Sequence, residues 1–431
     1  MLETKKKLML IEAKKKILSI EAIRGFAAIY VMLGHIVLLF QPYVFFPEYK
    51  FICKTIFGYG HQAVLLFFIV SGFSITYSSS NINIYDKYKI KEYLFKRFRR
   101  IYPLFFIALL ISLSILPISG AQSDIKRDIL SFFFITDTAP GSIVDPIPTN
   151  FPIWSLSYEV VYYLLFPLLV LAWQKKGRVN TFLIVLFTGV VTGLVGFLGW
   201  PNHIFNVLQY YWIWIAGAML AEAYINRRRF HFKYLYGLLV SSLAFMLTIE
   251  KIPIVSDWCW SLFFLILFVS FFVDERLVKA KERLINIIIG FASLGICYSF
   301  TNFSEIVYHK ELIKSIIIAI AGISLILYFL PTYISKKLVR FLMKPFVMTG
   351  SFSYSLYIIH WPIIMFSVFI HKKFLGGTML EMGLMISATI TIVFLLSWFL
   401  EEMIQPKIAK TMNRLFYKDQ QPMTNIQILK P

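Results

Sequence analysis

The stretch Ser19–Phe40, SIEAIRGFAAIYVMLGHIVLLF, decides the fold. It is long and apolar enough to cross a bilayer as one helix, yet it carries Glu21, Arg24 and His35. At ~100° and ~1.5 Å per residue, Arg24 and His35 are about three turns and roughly 16 Å apart, so they share one stripe. Glu21 sits one turn before Arg24 and is its expected partner. Ionisable groups inside a span cost about 2.5–3.5 kcal/mol each on insertion scales, so they face protein or a wet cavity and usually serve a function.

Working outward, the rest of the 431-residue chain has the same character: 58% of it is apolar and its mean hydropathy is +0.71. That excludes a soluble domain. Three cysteines, Cys53, Cys259 and Cys297, are too few and too scattered for a disulfide framework or a zinc site, and they read as small apolar fillers. No metal-ligand spacing is present, so no metal is expected. A net charge of +20 would suggest nucleic acid in a soluble protein. Here the basic clusters fall in alternate loops, as the positive-inside rule places them, so the expected partner is the bilayer and not nucleic acid. The first apolar run is long, contains charges and lacks a small-residue cleavage site, so it reads as a retained anchor.

The predicted fold is all-α, a polytopic membrane helix bundle of about 10–12 transmembrane helices. Beyond the first, spans are expected near 56–77, from 101, from 152, then near 181–199, 207–224, 233–249, 255–273, 284–300, 312–330, one containing 351–363, and one near 380–400. Residues 1–18 form a basic leader, 19–406 the membrane domain and 407–431 a basic tail, with both termini expected in the cytoplasm. The long loop Ser119–Phe151 holds more acids than bases (Asp124, Asp128, Asp137 and Asp145 among them) and is expected outside.

Three further stretches carry chemistry. KRFRRIYP places Arg97 and Arg100 one turn apart at the mouth of a span, where two guanidiniums can grip phosphate; a plain inner-leaflet belt explains them equally well. PIWSLSYEVVYYLLFPLL puts Ser155, Glu159, Tyr162 and Tyr163 on a polar stripe, and SFSYSLYIIHWPI does the same with Ser353, Tyr357 and His360. FFIVSGF offers Ser71 and Gly72 as small residues that let another helix approach. A histidine oriented by a carboxylate is suited to take a proton from a hydroxyl. These features together describe a membrane protein with a buried acid–base site and a phosphate-sized basic site. A transferase and a proton-coupled transporter both fit.

EAIRGFAAIYVMLGH, FFIVSGF, KRFRRIYP, PIWSLSYEVVYYLLFPLL, SFSYSLYIIHWPI and LSWFLEEMIQP, in that order from Ser19 to Pro406, resemble the acyltransferase-3 family of integral membrane O-acyltransferases. The resemblance implies an enzyme of the bacterial inner membrane. It would move an acyl group, commonly acetyl, from acyl-CoA to a hydroxyl of a surface glycan or its lipid-linked precursor. It maps the family's essential pair onto Arg24 and His35, with His35 the base, and its R-x-x-R onto Arg97 and Arg100 at the donor. Ser71 and Gly72 then belong with the donor, Glu159 with the catalytic pair, and Trp154, Ser155, Ser157, Tyr357 and His360 with the acceptor. Glu159 or Glu21 is expected to orient His35. Tyr158 stands where relatives have valine, and the short end after the last span implies a form without an appended hydrolase-like domain. The alternative class is a glycan exporter or proton-coupled carrier.

Overall fold

The computed structural model describes residues 20–40, 57–80, 82–226, 256–268, 341, 343–374 and 378–417 with their side chains, and the backbone alone of 2–19, 253–255, 269–270 and 418. Among these residues there is no strand, and eight helices are long and apolar enough to cross a membrane. The protein is a multi-pass membrane helix bundle. In chain order the helices are α1 (Leu2–Phe40), α2 (Gly60–Ser78), α3 (Lys87–Ile115), a short α4 (Ile125–Phe132), α5 (Trp154–Lys176), α6 (Arg178–Phe197), α7 (His203–Ile225), α8 (Pro253–Ser270), α9 (Ser353–Phe374), α10 (Met379–Trp398) and α11 (Gln405–Lys418). A 3-10 turn, Pro148–Ile153, leads into α5, and a π turn, Phe399–Ile404, joins α10 to α11. The spans expected near 233–249, 284–300 and 312–330, with Cys53 and Cys297, lie outside the described residues.

Burial sorts the helices into centre and rim. The apolar windows of α2, α7 and α9 are 61–67% buried, whereas those of α6 and of the helix continuing from α10 are 22% buried. Leu183, Phe187 and Leu194 on α6 and Leu384, Ile392 and Leu395 on α10 stand exposed, as apolar side chains against lipid do. At the centre α2 and α7 cross backbone to backbone. A Cβ on Gly72 would lie 1.9 Å from the Trp214 carbonyl oxygen, and one on Gly217 would lie 2.0 Å from that of Ile69. Only glycine allows that approach.

Three helices carry an internal proline, and each leaves the carbonyl four residues earlier without its N–H donor. In each case another element supplies one. Pro103 frees the Arg99 carbonyl, which accepts from Gln405 Nε2 at 2.8 Å. Pro167 frees that of Tyr163, which accepts from the Tyr93 hydroxyl at 3.0 Å. Pro362 frees that of Ile358, which accepts from Asn150 Nδ2 at 2.9 Å. In lipid an unmet backbone group has no water to turn to, so these cross-helix donors tie α3 to α11, α5 to α3, and α9 to the turn before α5.

The segment between α3 and α5 is folded onto the bundle. Asp128 and Asp137, expected on a solvated outer loop, are both buried. Asp128 pairs with Arg127 at 3.1 Å and accepts from Ser123 at 2.6 Å. Asp137 accepts from Tyr158 Oη (2.8 Å), Asn206 Nδ2 (3.0 Å), His203 Nδ1 (3.2 Å) and the Ala139 amide (3.1 Å). Tyr158 thus uses its hydroxyl to hold the loop.

Candidate active site

A cavity of about 400 Å³ opens at the end of the bundle that carries the arginines, between α1, α2, α3, α5 and α9. Five cations line it (Arg24, Lys96, Arg97, Arg99 and Arg100) against one acid, Glu159. Their partners differ. Arg24 lies 3.4 Å from Glu21, as their spacing predicts, and Lys96 lies 2.8 Å from Glu92. Arg100 forms an ion pair with Glu401, a buried carboxylate of the π turn that also accepts from Ser355 at 2.6 Å. Arg99 donates to Asn413 of α11. Arg97 donates to Ser78 at 2.9 Å, lies over the Tyr93 ring, and keeps a buried Nε with no hydrogen-bond partner among the described residues. Among those residues, Arg97 and Arg99 therefore have no carboxylate partner.

One wall is a chain of donors. Trp214 Nε1–H donates to Ser71 Oγ at 3.2 Å, and Ser71 lies 3.1 Å from the Tyr163 hydroxyl, which donates to Glu159. Ser71 lines the cavity while holding Tyr163, and Glu159 lines the same cavity as Arg24, Arg97 and Arg100. At the inner end stand Phe67, Ser155 and Tyr357. The Tyr357 hydroxyl donates to the Pro152 carbonyl at 2.8 Å and accepts from Ser155 at 2.7 Å; its ring meets Phe67 edge-on at 5.5 Å.

One ring further lies the imidazole pair. The Tyr357 and His360 rings are 5.9 Å apart, and His360 Nε2 is 2.7 Å from His35 Nδ1 with the two ring planes within 2°. His360 is wholly buried, and its Nδ1 lies 2.7 Å from the Tyr357 carbonyl oxygen and 3.1 Å from that of Leu356. Trp361 closes edge-on over His35 at 4.8 Å. The other ring nitrogen, His35 Nε2, faces the start of α2, where a Cβ on Gly60 would lie 4.0 Å away.

Of the residues singled out in the sequence, Arg24, Ser71, Arg97, Arg100, Ser155, Glu159 and Tyr357 share the cavity. His35 and His360 lie beyond its inner end. Gly72 is at the α2–α7 crossing, Ser157 turns to Thr136 at 3.2 Å, and Trp154 stacks on His61 at 5.4 Å. Neither Glu159 nor Glu21 holds His35, contrary to expectation. Ser155, one turn before Glu159, already marks the cavity's inner limit, and Glu159 is taken by Tyr163. The sequence reading passed over His61, whose Nε2 lies 3.0 Å from Asp257 Oδ2, and Tyr210, which donates to the same oxygen at 2.7 Å. An acid inside the apolar run of α8 was the available signal. It also passed over Glu401 and Asn150.

Outside the spans, Asp137 is held by four donors. Burial pushes its carboxyl up, but the bonds from His203, Ala139, Tyr158 and Asn206 outweigh that and hold it below the usual carboxylate range.

Two comparisons place the chain. A family model described as "Acyltransferase domain" (Acyl_transf_3) matches residues 17–273, which runs from within α1 through α8 and stops before α9. A stretch of 161 residues is 30% identical to Acyltransferase MdmB of Streptomyces mycarofaciens, covering 36% of this chain and 38% of that protein. The chain thus spans under two-fifths of that relative's length. No solved structure matches it. The family model covers more than half of a chain whose first span carries Arg24 and His35 and whose third carries Arg97 and Arg100, and the chain belongs to the acyltransferase-3 family.

Proposed function

We propose that the protein is an O-acyltransferase of the bacterial inner membrane. It takes an acyl group, most simply acetyl, from cytosolic acyl-CoA and passes it to a hydroxyl of a surface glycan or its lipid-linked precursor. The observation that carries this reading is the order of groups along one path. Cations without carboxylate partners stand at the mouth, a cavity lined in part by Ser71, Glu159 and Tyr163 follows, and a paired imidazole lies one aromatic ring past its inner end. A cavity of this volume falls in the range that holds small ligands.

In this scheme the arginine end faces the cytoplasm. Arg97 and Arg99 take the phosphates of the donor, since Arg100 is already neutralised by Glu401. The pantetheine arm runs past Ser71 and Glu159 and brings the thioester to Ser155 and Tyr357. His35 accepts the proton of the acceptor hydroxyl as its oxygen attacks the thioester carbonyl. The carbon–sulfur bond then breaks, and the CoA thiolate leaves and takes up a proton. The acceptor enters from the opposite end, where Trp154, His61 and Tyr210 gather at the start of α2.

The test uses proteoliposomes, radiolabelled acetyl-CoA and a total cell-envelope glycan extract. Wild type should release CoA thiol and label glycan. His35→Ala should bind acetyl-CoA but lose about 100-fold or more in turnover, the usual worth of a general base. Full turnover by His35→Ala would end this mechanism. Glycan flux by a wild type that binds no acetyl-CoA would favour a carrier instead.

A further inference from the structure

The two histidines sit in a geometry that fixes which nitrogens carry protons. A backbone carbonyl can only accept, so the 2.7 Å contact between His360 Nδ1 and the Tyr357 oxygen requires a hydrogen on that nitrogen. In the neutral ring the other nitrogen, Nε2, is then an acceptor. It lies 2.7 Å from His35 Nδ1, in one plane with it, so His35 must carry its hydrogen on Nδ1. That leaves the lone pair of His35 on Nε2, the nitrogen facing the start of α2.

We infer that His360 is a positioning residue. It locks His35 in the Nδ1–H tautomer, aims Nε2 at the acceptor, and receives the hydrogen bond that steadies the imidazolium once the proton has moved. This deepens the reading of His35 as base and rests on it. It reassigns His360, which the sequence placed among acceptor contacts. In hydrolases with a Ser-His-Asp triad a buried carboxylate does this work; here a neutral ring does it. No carboxylate is bonded to His35 among the described residues. When His35 takes the acceptor's proton at Nε2, its Nδ1–H remains in place and its bond to His360 becomes charge-assisted, which is the stronger kind. The Tyr357 carbonyl lies one turn before His360 on the same helix, and its oxygen has a second lone pair to offer the ring.

Two measurements test this. The first is the 15N spectrum of protein labelled at histidine nitrogen, in bilayers at neutral pH, for wild type, His35→Ala and His360→Ala. Two rings protonated at Nδ1 alone should be present in wild type. One should vanish with His35→Ala, and the His35 signal should change form with His360→Ala. A wild-type His35 protonated at Nε2 overturns the inference, whether or not acyl transfer is ever detected. The second is acetyl transfer by His360→Ala, His360→Asn and His360→Gln. Glutamine can place an oxygen where Nε2 was, while asparagine cannot reach. The expected result is kcat down about 100-fold for Ala and Asn, unchanged KM for acetyl-CoA in all three, and substantial recovery in Gln. Equal activity in Ala and Gln, or a raised KM for acceptor with kcat intact, returns His360 to an acceptor contact and sinks the proposal.

Discussion

Asn150 and Ile358 are joined across 208 residues of sequence by one hydrogen bond, from the Asn150 amide to the carbonyl that Pro362 leaves without a donor. The same amide group reaches Ser112 Oγ at 3.0 Å, so one side chain ties α3, the turn before α5, and α9 together. Replacing Asn150 by alanine strands a buried carbonyl and should cost about 1–3 kcal/mol. Asn150→Asp keeps the shape but has only acceptors when ionised, so it should be no better. Thermal unfolding in detergent, followed by tryptophan fluorescence, checks both. A wild-type midpoint for Asn150→Asp would show that the carbonyl finds another donor.

Arg97 and Arg100 belong to one short motif, yet they should respond differently to truncation. Arg100 is paired with a buried carboxylate, so Arg100→Ala leaves the Glu401 charge buried and uncompensated and should destabilise the protein by about 3–5 kcal/mol. Arg97 has no carboxylate partner among the described residues. Arg97→Ala should leave the unfolding midpoint nearly in place and raise KM for acyl-CoA about tenfold, the worth of roughly one charge-assisted bond to phosphate. That increase should shrink in high salt, because the mouth is exposed to solvent ions. Reversed behaviour of the two variants would put the donor's phosphates on Arg100.

Asp137 makes the loop between α4 and α5 sensitive to acid. Its folded pKa is depressed, so the ionised carboxylate contributes stability at and above the ordinary carboxylate range, near pH 4. That contribution is lost as pH falls through the lower folded value. Limited proteolysis of the loop should therefore be slow at pH 7 and accelerate below about pH 4, and Asp137→Asn should show faster cleavage at pH 7 with a flatter pH response. Tyr158→Phe removes one of the four donors and should fall between the two.

What the sequence determined by itself is what depends on neighbours along the chain. Apolar runs of bilayer length specify helices that span, because no other backbone form satisfies its own hydrogen bonds in lipid. A three- or four-residue spacing put Ser155 with Glu159 and Glu21 with Arg24 on common faces; the first pair does line the cavity and the second does form an ion pair. The family motifs were legible for the same reason, since each is a local block. Contacts between helices were not. Only the tertiary structure decided that His35 meets His360 and not Glu159, that Arg100 is taken by Glu401, and that Gly72 serves a helix crossing. Periodicity gives the face of a helix but not which helix lies against it. That choice comes from how glycines let backbones touch, and from which side chain can reach a carbonyl that a proline has freed.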